Sequence, residues 1–179
     1  MIFAKLAIQI IQHMIMTEIV YYNSPLGILK LGAADNMLTE LSFSNSNASS
    51  TKEEIALNPV LQQCIQQLDN YFSGKVFSFQ LPLQQAGTPF QQKVWNALGA
   101  IEPGKTISYL QLSKNLGDAK AIRAVGTANG KNNIAIIVPC HRVIGSKGDL
   151  VGYSGQLWRK QWLLQHEAKY LNGVQDLFG

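Results

Sequence analysis

The sequence of 179 residues has little cysteine, and this excludes several classes of small protein. Its two cysteines, Cys64 and Cys140, are too few for a disulfide framework. Neither belongs to a C-x-x-C pair, which is the spacing typical of a zinc site. The cysteine content therefore argues against a disulfide-rich secreted fold and indicates a reducing compartment, which favours a cytoplasmic location.

Long apolar runs are also missing. The longest is far shorter than the roughly 20 residues that a membrane-spanning helix needs. The apolar stretch at residues 1–16 is interrupted by Gln9, Gln12 and His13, and no small-residue cleavage site follows it. The sequence therefore favours neither a membrane anchor nor a secretory signal. Residues 1–16 are interpreted as a leader of unknown role, with Met16 as an alternative start.

Charged residues are few and unevenly placed. Residues 90–165 carry ten Lys or Arg against three acidic residues, a net charge of +7, whereas residues 1–89 carry four against six, a net charge of −2. A basic half is typical of a protein that binds a polyanion, but an ordinary solvated surface has the same composition. Charge alone leaves both interpretations open.

The first half of the chain alternates between strand-like and helical patterns. Short β-rich segments from Thr17 to Phe43, separated by turn residues, predict an antiparallel meander. A polar loop follows at 45–51. Asn58-Pro59 then begins a helix whose apolar positions recur at three-to-four spacing until Gly74. Cys64 lies on that apolar stripe and is interpreted as a core residue without chemistry.

A domain boundary is predicted where the charge changes sign. Residues 81–87 break the periodicity, so we expect an α/β domain at 1–86 and a mostly helical domain at 87–179. In the second domain, Ser108 caps one helix and Asp118 begins another, which together form a helix-turn-helix pattern. The helix that Asp118 begins is rich in small residues, and Arg123 is its long cationic side chain. This composition fits either tight helix packing or close approach to a DNA groove.

Cys140 and His141 form the candidate reactive pair. The apolar run Ile134–Val138 predicts a buried strand, which Pro139 ends just before Cys140. A cysteine attacks as thiolate and needs a base or a positive charge nearby, and histidine is the usual base. Because neighbours in a strand point to opposite faces, either a turn follows Pro139 or a water bridges the pair. A buried thiol beside a satisfied histidine remains the alternative.

A third group would have to orient the histidine. Glu167 ends a helix predicted from Trp158 and is the candidate carboxylate, although spacing alone does not assign it. His166 is expected to be exposed and incidental.

Several motifs, in one order over some 80 residues, resemble the methylated-DNA–protein-cysteine methyltransferases, the O6-alkylguanine repair family, of the simple bacterial kind. The matching residues are Gly87–Gln91, Val94-Trp95, Ile107–Tyr109, Arg123–Gly126, Asn132, Pro139–Val143, Gly152–Gly155, Leu163-Leu164 and Glu167. The resemblance implies an α+β fold, in which a ribonuclease-H-like α/β domain precedes a mostly helical domain with a helix-turn-helix. It also implies DNA repair by irreversible, stoichiometric transfer of the alkyl group from O6-alkylguanine to Cys140, with O4-alkylthymine as a second candidate substrate.

The resemblance also assigns chemical roles. Cys140 is the alkyl acceptor, His141 is its base through a water, and Glu167 is the carboxylate that orients His141. Asn132 stabilises the turn that holds the reactive segment. No metal and no organic cofactor is implied, and the protein is expected to be a monomer.

DNA contacts follow from the same resemblance. Arg123 enters the base stack from the minor groove of double-stranded DNA and fills the space left by a flipped nucleotide, while Tyr109 donates a hydrogen bond to the purine. The backbone carbonyls of Cys140 and Val143 bind the guanine amino group. A wall around the modified oxygen is formed by Tyr153, Ser154 and Gly155.

The sequence departs from the family at two positions near the site. Asn133 replaces a usual proline, which bears on the rigidity of the turn, and Asn129 replaces an apolar residue of some members, which bears on bulky alkyl groups. Three other functions were weighed against repair. A lesion-binding relative would lack Cys140, a thiol hydrolase needs an oxyanion hole, and a transcription factor would carry more base-reading side chains than Arg123.

Overall fold

The computed structural model describes residues 17–44 and 58–173. The predicted leader at 1–16 and the predicted polar loop at 45–51 lie outside the described residues. Within the described ranges the elements follow in this order: β1 (Glu18–Ser24), β2 (Gly27–Ala34), β3 (Met37–Phe43), α1 (Pro59–Phe72), α2 (Pro89–Gly99), β4 (Ile107–Ser108), α3 (Tyr109–Asn115), α4 (Ile122–Gly130), a 3-10 turn (Cys140–Arg142), β5 (Val143–Ile144) and α5 (Leu157–Asn172).

The N-terminal half is an antiparallel sheet with one helix on it, and this confirms the predicted meander and helix. The strands lie in the order β1-β2-β3. Asp35 and Asn36 make the second hairpin turn with φ angles of 51° and 57°, a conformation that Asp and Asn tolerate better than other side chains. The Asn58 side chain caps α1 by accepting from the Val60 N–H at 3.0 Å. Cys64 is fully buried in the core, as predicted.

The C-terminal half begins with three helices that include the predicted helix-turn-helix. Thr88 and Gln91 form a capping box at the start of α2, and the Ser108 side chain caps α3. The third of these helices, α4, begins at Ile122 rather than at Asp118, because residues 119–121 form a turn. The indole of Trp95 donates to the Ala128 carbonyl at 2.9 Å and fixes α2 against α4.

The prediction of a strand at Ile134–Val138 is wrong, although the segment is largely buried. Only Ile134 bridges to β3, at Leu41, and residues 135–137 form a turn in which Ile136 has a φ of 70°. The Asn132 side chain closes this turn by accepting from the Ile134 N–H at 3.1 Å and donating to the Val138 carbonyl at 2.8 Å. Those bonds replace the ladder that a strand would have made, so burial did not imply extended backbone.

The final helix differs from prediction at both ends. It begins at Leu157 and continues to Asn172, beyond the predicted end at Glu167. His166 is buried, against the prediction of exposure. Its Nε2 lies 2.7 Å from the Tyr71 carbonyl oxygen, and its ring stacks on Trp162. The helix packs against both halves of the chain, so two of its faces are covered.

One apolar core runs through both halves, including Leu31, Leu61, Leu98 and Leu163. No helix within residues 17–44 and 58–173 is long and apolar enough to cross a bilayer.

Candidate active site around Cys140

Cys140 opens a single 3-10 turn at the centre of the molecule. Pro139 precedes it, and the turn places Cys140, His141 and Arg142 in buried positions. This answers the question that the sequence left open, since a turn does follow Pro139. Burial raises the pKa of the Cys140 thiol, while the Asn132 side chain and the charge of Lys160 act in the opposite direction. The free thiol therefore needs a base in order to become a nucleophile.

His141 is held by one ring nitrogen only. Its Nε2 lies 2.9 Å from Glu167 Oε1, and both side chains are fully buried. Nδ1 is also buried and has no hydrogen-bond partner among the described residues. Burial lowers the pKa of His141 despite the opposing pull of Glu167, and the nearby Arg142 and Lys160 lower it further. The ring is therefore neutral at physiological pH, with Nε2–H donating to Glu167 and Nδ1 left as an acceptor.

Glu167 is the centre of the buried polar network. Oε2 accepts from the Gly104 N–H at 2.9 Å and from Arg142 Nε at 3.0 Å, while Arg142 Nη2 lies 2.9 Å from Oε1. The Tyr71 hydroxyl donates to Oε1 at 3.0 Å. Burial alone would raise the pKa of Glu167, but His141 and Arg142 outweigh it and hold the pKa well below its ordinary value. The carboxylate is therefore ionised across the physiological range.

Sequence reasoning gave no role to Arg142 and Tyr71, which both contact Glu167. Arg142 Nη1 also donates to the Ile101 carbonyl at 2.6 Å, so each of the three guanidinium nitrogens makes a hydrogen bond. Arg142 is a charged residue inside the motif Pro139–Val143, which follows an apolar run that was expected to be buried. A buried charge needs a partner of opposite sign, and this was the signal available in the sequence. Tyr71 is separated from Glu167 by 96 positions, and nothing in the sequence connects them.

Lys160 is a second buried cation that the sequence analysis missed. Its Nζ donates to the Val143 carbonyl at 2.6 Å and to the Val151 carbonyl at 2.7 Å, which ties the reactive turn to the loop that follows it. Burial lowers the pKa of Lys160 to about 8. Its position four residues before Leu164 on α5 places it on the buried face, which was a usable signal.

Asn132 and Asn133 join the reactive segment to the N-terminal half. Gln85 Nε2 donates to both side-chain oxygens at 2.8 Å. Asn133 Nδ2 also donates to the Thr39 carbonyl at 2.9 Å, and its own carbonyl accepts from Leu41 at 2.8 Å. The asparagine that stands in place of proline therefore anchors this turn through hydrogen bonds.

Of the residues predicted to contact DNA, Tyr109 and Tyr153 lie close enough to Cys140 to interact with it electrostatically. Arg123 is exposed on α4, and Ser154 is exposed on the loop before α5. The Tyr109 hydroxyl donates to the Gly152 carbonyl at 3.2 Å and accepts from Asn129 Nδ2 at 3.2 Å. The Val143 carbonyl, predicted to bind the guanine amino group, already accepts from Lys160 and has one lone pair left.

A small pocket lies next to the predicted wall for the modified oxygen. Its volume is about 140 Å³, and Phe43, Asn132, Ser154 and Gly155 contribute to its lining. The Phe43 ring lies so close to Gly155 that a Cβ there would come within 2.5 Å of it. Two buried polar atoms nearby, Asn129 Oδ1 and the Tyr153 hydroxyl, have no hydrogen-bond partner among the described residues. The site thus combines a histidine fixed by Glu167 with two buried polar atoms to which a ligand could form hydrogen bonds.

Comparison with known proteins gives matches along most of the chain. The model of the 6-O-methylguanine DNA methyltransferase ribonuclease-like domain matches residues 19–85, and that of the DNA binding domain matches residues 89–169. The chain is 41% identical over 157 residues to the methylated-DNA–protein-cysteine methyltransferase of Mycolicibacterium paratuberculosis, covering 87% of this chain and 95% of the relative. The constitutive enzyme of Bacillus subtilis is 43% identical over 143 residues, which cover 75% of this chain and 87% of the relative.

Solved structures agree with these matches. The O6-methylguanine methyltransferase of Mycobacterium tuberculosis superposes with a TM-score of 0.76 at 40% identity, covering 90% of this chain and 98% of that one. A structure of the Mycobacterium tuberculosis protein OGT in complex with DNA gives a TM-score of 0.74 at 41% identity, covering 84% and 92%. Cys140, His141 and Glu167 all lie within the matched DNA-binding region.

Proposed function

The chain belongs to the 6-O-methylguanine DNA methyltransferase family, and on that basis we propose that it repairs DNA by transferring the alkyl group of O6-alkylguanine to its own Cys140. The observation that carries the assignment is the buried Cys140 turn, in which Glu167 holds His141 and leaves Nδ1 as an acceptor. The enzyme is a methylated-DNA–protein-cysteine S-methyltransferase that acts once. The thioether on Cys140 has no hydrolytic exit, so the transfer is irreversible and stoichiometric.

The buried network accounts for the chemistry. His141 Nδ1 takes the thiol proton of Cys140 through one water, and ionised Glu167 stabilises the imidazolium that forms. The new bond joins Sγ to the alkyl carbon as the bond from that carbon to O6 breaks. Its electron pair passes to the purine, which takes up, through solvent, the proton that the imidazolium releases and remains in the DNA strand as ordinary guanine. This chemistry requires no metal and no organic cofactor.

The protein binds DNA, and we assign its contacts to the surface around Arg123. A base inside a duplex must be extruded before a buried thiol can reach it, at a cost of a few kcal/mol. Arg123 is exposed on the small-residue helix α4, and we assign to it the role of entering the minor groove and filling the vacated space. The Tyr109 hydroxyl exchanges its bond to the Gly152 carbonyl for one that it donates to the flipped purine. The carbonyls of Cys140 and Val143 accept from the amino group of the purine.

The remaining recognition residues form a wall. Tyr153, Ser154 and Gly155 hold the modified oxygen, and Asn132 keeps the reactive turn in place through its bonds to Ile134 and Val138. O4-alkylthymine is a second candidate substrate. The proposal includes a division into domains at residues 86 and 87, a monomeric state and a cytoplasmic location.

The test is to incubate the protein with a duplex that contains one O6-methylguanine and to follow the intact and peptide masses, with Cys140→Ala as the control. We expect the Cys140 peptide to gain one methylene and the reaction to stop at one per protein. Lesion-selective binding without any mass gain would replace repair by damage sensing. If the protein neither gained mass nor selected the lesion, the repair assignment would be wrong.

A further inference from the structure

A tyrosine from the N-terminal half contacts the carboxylate that orients the base. Tyr71 lies near the end of α1 and is fully buried. Its hydroxyl donates to Glu167 Oε1 at 3.0 Å. Phe77 and His166 lie at ring-centroid distances of 5.4 and 5.3 Å, so the phenol is held in one place. The sheet-and-helix half is thus in direct contact with the reactive network.

The Tyr71 hydroxyl bonds to the same carboxylate oxygen of Glu167 that binds His141. Glu167 Oε1 accepts from His141 Nε2, from the Tyr71 hydroxyl and from both Nη2 and Nε of Arg142, so four donor groups of three residues share one atom. The carboxylate is ionised and has no proton to give, which fixes Tyr71 as the donor. Each added donor spreads the negative charge and weakens the attraction of Oε1 for the others.

We propose that Tyr71 is a positioning residue of the alkyl transfer, through which the N-terminal half sets how strongly Glu167 holds the Nε2 proton of His141. The inference rests on the function proposed above. It assigns the N-terminal half a part in the proton transfer, in addition to its part in the fold.

The direction of the effect follows from the charges around the pair. Without the Tyr71 hydroxyl, Glu167 binds the His141 proton more tightly, so the pKa of His141 rises and less neutral base is present at low pH. The other titratable groups that face this pair stay in place: Cys140 and Arg142 from the turn, Tyr153 from the following loop, and Lys160 and His166 from α5.

The primary experiment compares Tyr71→Phe with Tyr22→Phe in the full chain. Tyr22 makes a phenol–carboxylate bond of the same kind to Asp69 of α1, at 2.7 Å and on the surface, so it is a matched control. The rate of Cys140 methylation by O6-methylguanine duplex is measured between about pH 4.5 and pH 9, a range that starts well below the ordinary pKa of histidine because burial lowers the pKa of His141. We expect Tyr71→Phe to move the acid limb up by about half a pH unit, which lowers the rate about threefold at the acid end and little at the alkaline end. Tyr22→Phe should reproduce the wild-type curve.

A profile identical to wild type, or an equal loss of rate at every pH, would overturn the inference, because a merely structural role leaves the acid limb in place. If Tyr71→Phe does not fold, 3-fluorotyrosine introduced at position 71 decides the question. Fluorine makes the phenol a stronger donor, so the acid limb should move to lower pH, and an unmoved limb would count against Tyr71.

A second readout separates this inference from the proposed function. Methyl iodide alkylates a thiol without DNA, and the mass of the Cys140 peptide reports its rate in each variant. If wild-type protein fails to take methyl from the duplex while the methyl iodide profile still shifts in Tyr71→Phe, the repair function is wrong and the role of Tyr71 in tuning Cys140 stands. If duplex transfer works but neither profile shifts, the repair function stands and Tyr71 has no such role.

Discussion

The inner and outer parts of the site differ in how their polar groups are held. In the inner part, Glu167 accepts hydrogen bonds from four different residues, and Lys160 donates to two carbonyls. In the outer part, Arg123 and Ser154 are exposed, and the Tyr153 hydroxyl and Asn129 Oδ1 are buried without a partner among the described residues. In the function proposed above, His141 is therefore held before substrate arrives, whereas the outer polar groups find partners only when DNA binds.

The largest effect should come from the inner part, through Glu167→Gln. The change leaves His141 without its anionic partner and Arg142 as a buried unpaired charge, so we expect transfer to fall about a thousandfold. Stability should fall by about 3–5 kcal/mol. The transfer rate is measured by peptide mass spectrometry of reactions quenched at timed intervals, and the stability is measured by thermal unfolding. Glu40→Gln, which breaks the partly exposed ion pair with Lys30, is the control and should change neither the transfer rate nor the stability much.

The same carboxylate predicts a pH dependence of stability. Its folded-state pKa lies below the ordinary value of 4.5, so the stabilisation is present above that pH and is lost as the pH falls towards the folded-state value. The melting temperature of the wild type should therefore drop on acidification more steeply than that of Glu167→Gln. Parallel curves for the two proteins would contradict the assignment.

Lys160→Met should have the next largest effect. It removes the common donor of the Val143 and Val151 carbonyls and a positive charge that lowers the pKa of Cys140. We expect transfer to slow by about tenfold to a hundredfold, and more with duplex than with methyl iodide. Lys169→Met, an exposed change on the same helix, provides the comparison. Equal rates for both variants would mean that the two hydrogen bonds of Lys160 are not needed for alkyl transfer.

Arg123→Ala should slow only reactions that need base flipping. We expect transfer from duplex to fall about tenfold, because nothing then occupies the vacated space, while transfer from the free base O6-benzylguanine stays unchanged. Lys120→Ala removes a neighbouring exposed cation as a control for charge. A matching loss with the free base would place Arg123 in the inner part of the site.

The smallest effect is expected from Asn129→Ala. Losing the Nδ2 bond to the Tyr109 hydroxyl should slow duplex transfer by about threefold, with little loss of stability because an unpartnered buried oxygen goes with it. Gln111→Ala removes an exposed hydrogen bond from the Gln111 side-chain amide to Asn115. It controls for the loss of any side-chain hydrogen bond in this pair of helices. If Asn129→Ala transfers the alkyl group as fast as that control, the action of Tyr109 does not depend on its hydrogen bond from Asn129.

The fold class and the inner residues were accessible from sequence for different reasons. Turn residues and apolar periodicity predicted the meander and the helices, and the resemblance implied the α+β class with a ribonuclease-like first half; both are confirmed. Cys140, His141, Glu167 and Asn132 came from the motif and the resemblance, and the structure brings them together. Their chemical roles remain proposals until measured.

The misses have a common physical origin in contacts between distant segments. Ile134–Val138 was taken for a strand because an apolar run does not distinguish extended backbone from a buried turn that Asn132 closes. His166 was expected to be exposed because it neighbours Glu167, but α5 is covered on two faces. The contact of Tyr71 with Glu167 could not be predicted because it is set by tertiary packing, whereas the helical spacing of Lys160 from Leu164 was a signal that went unused.

The contact between Tyr71 and Glu167 also bears on how the chain folds. A core shared by both halves and a carboxylate shared between them couple the unfolding of one half to that of the other. Calorimetry should therefore show a single cooperative transition, with neither half melting ahead of its neighbour. Two stretches that separate family models describe would then constitute one thermodynamic unit.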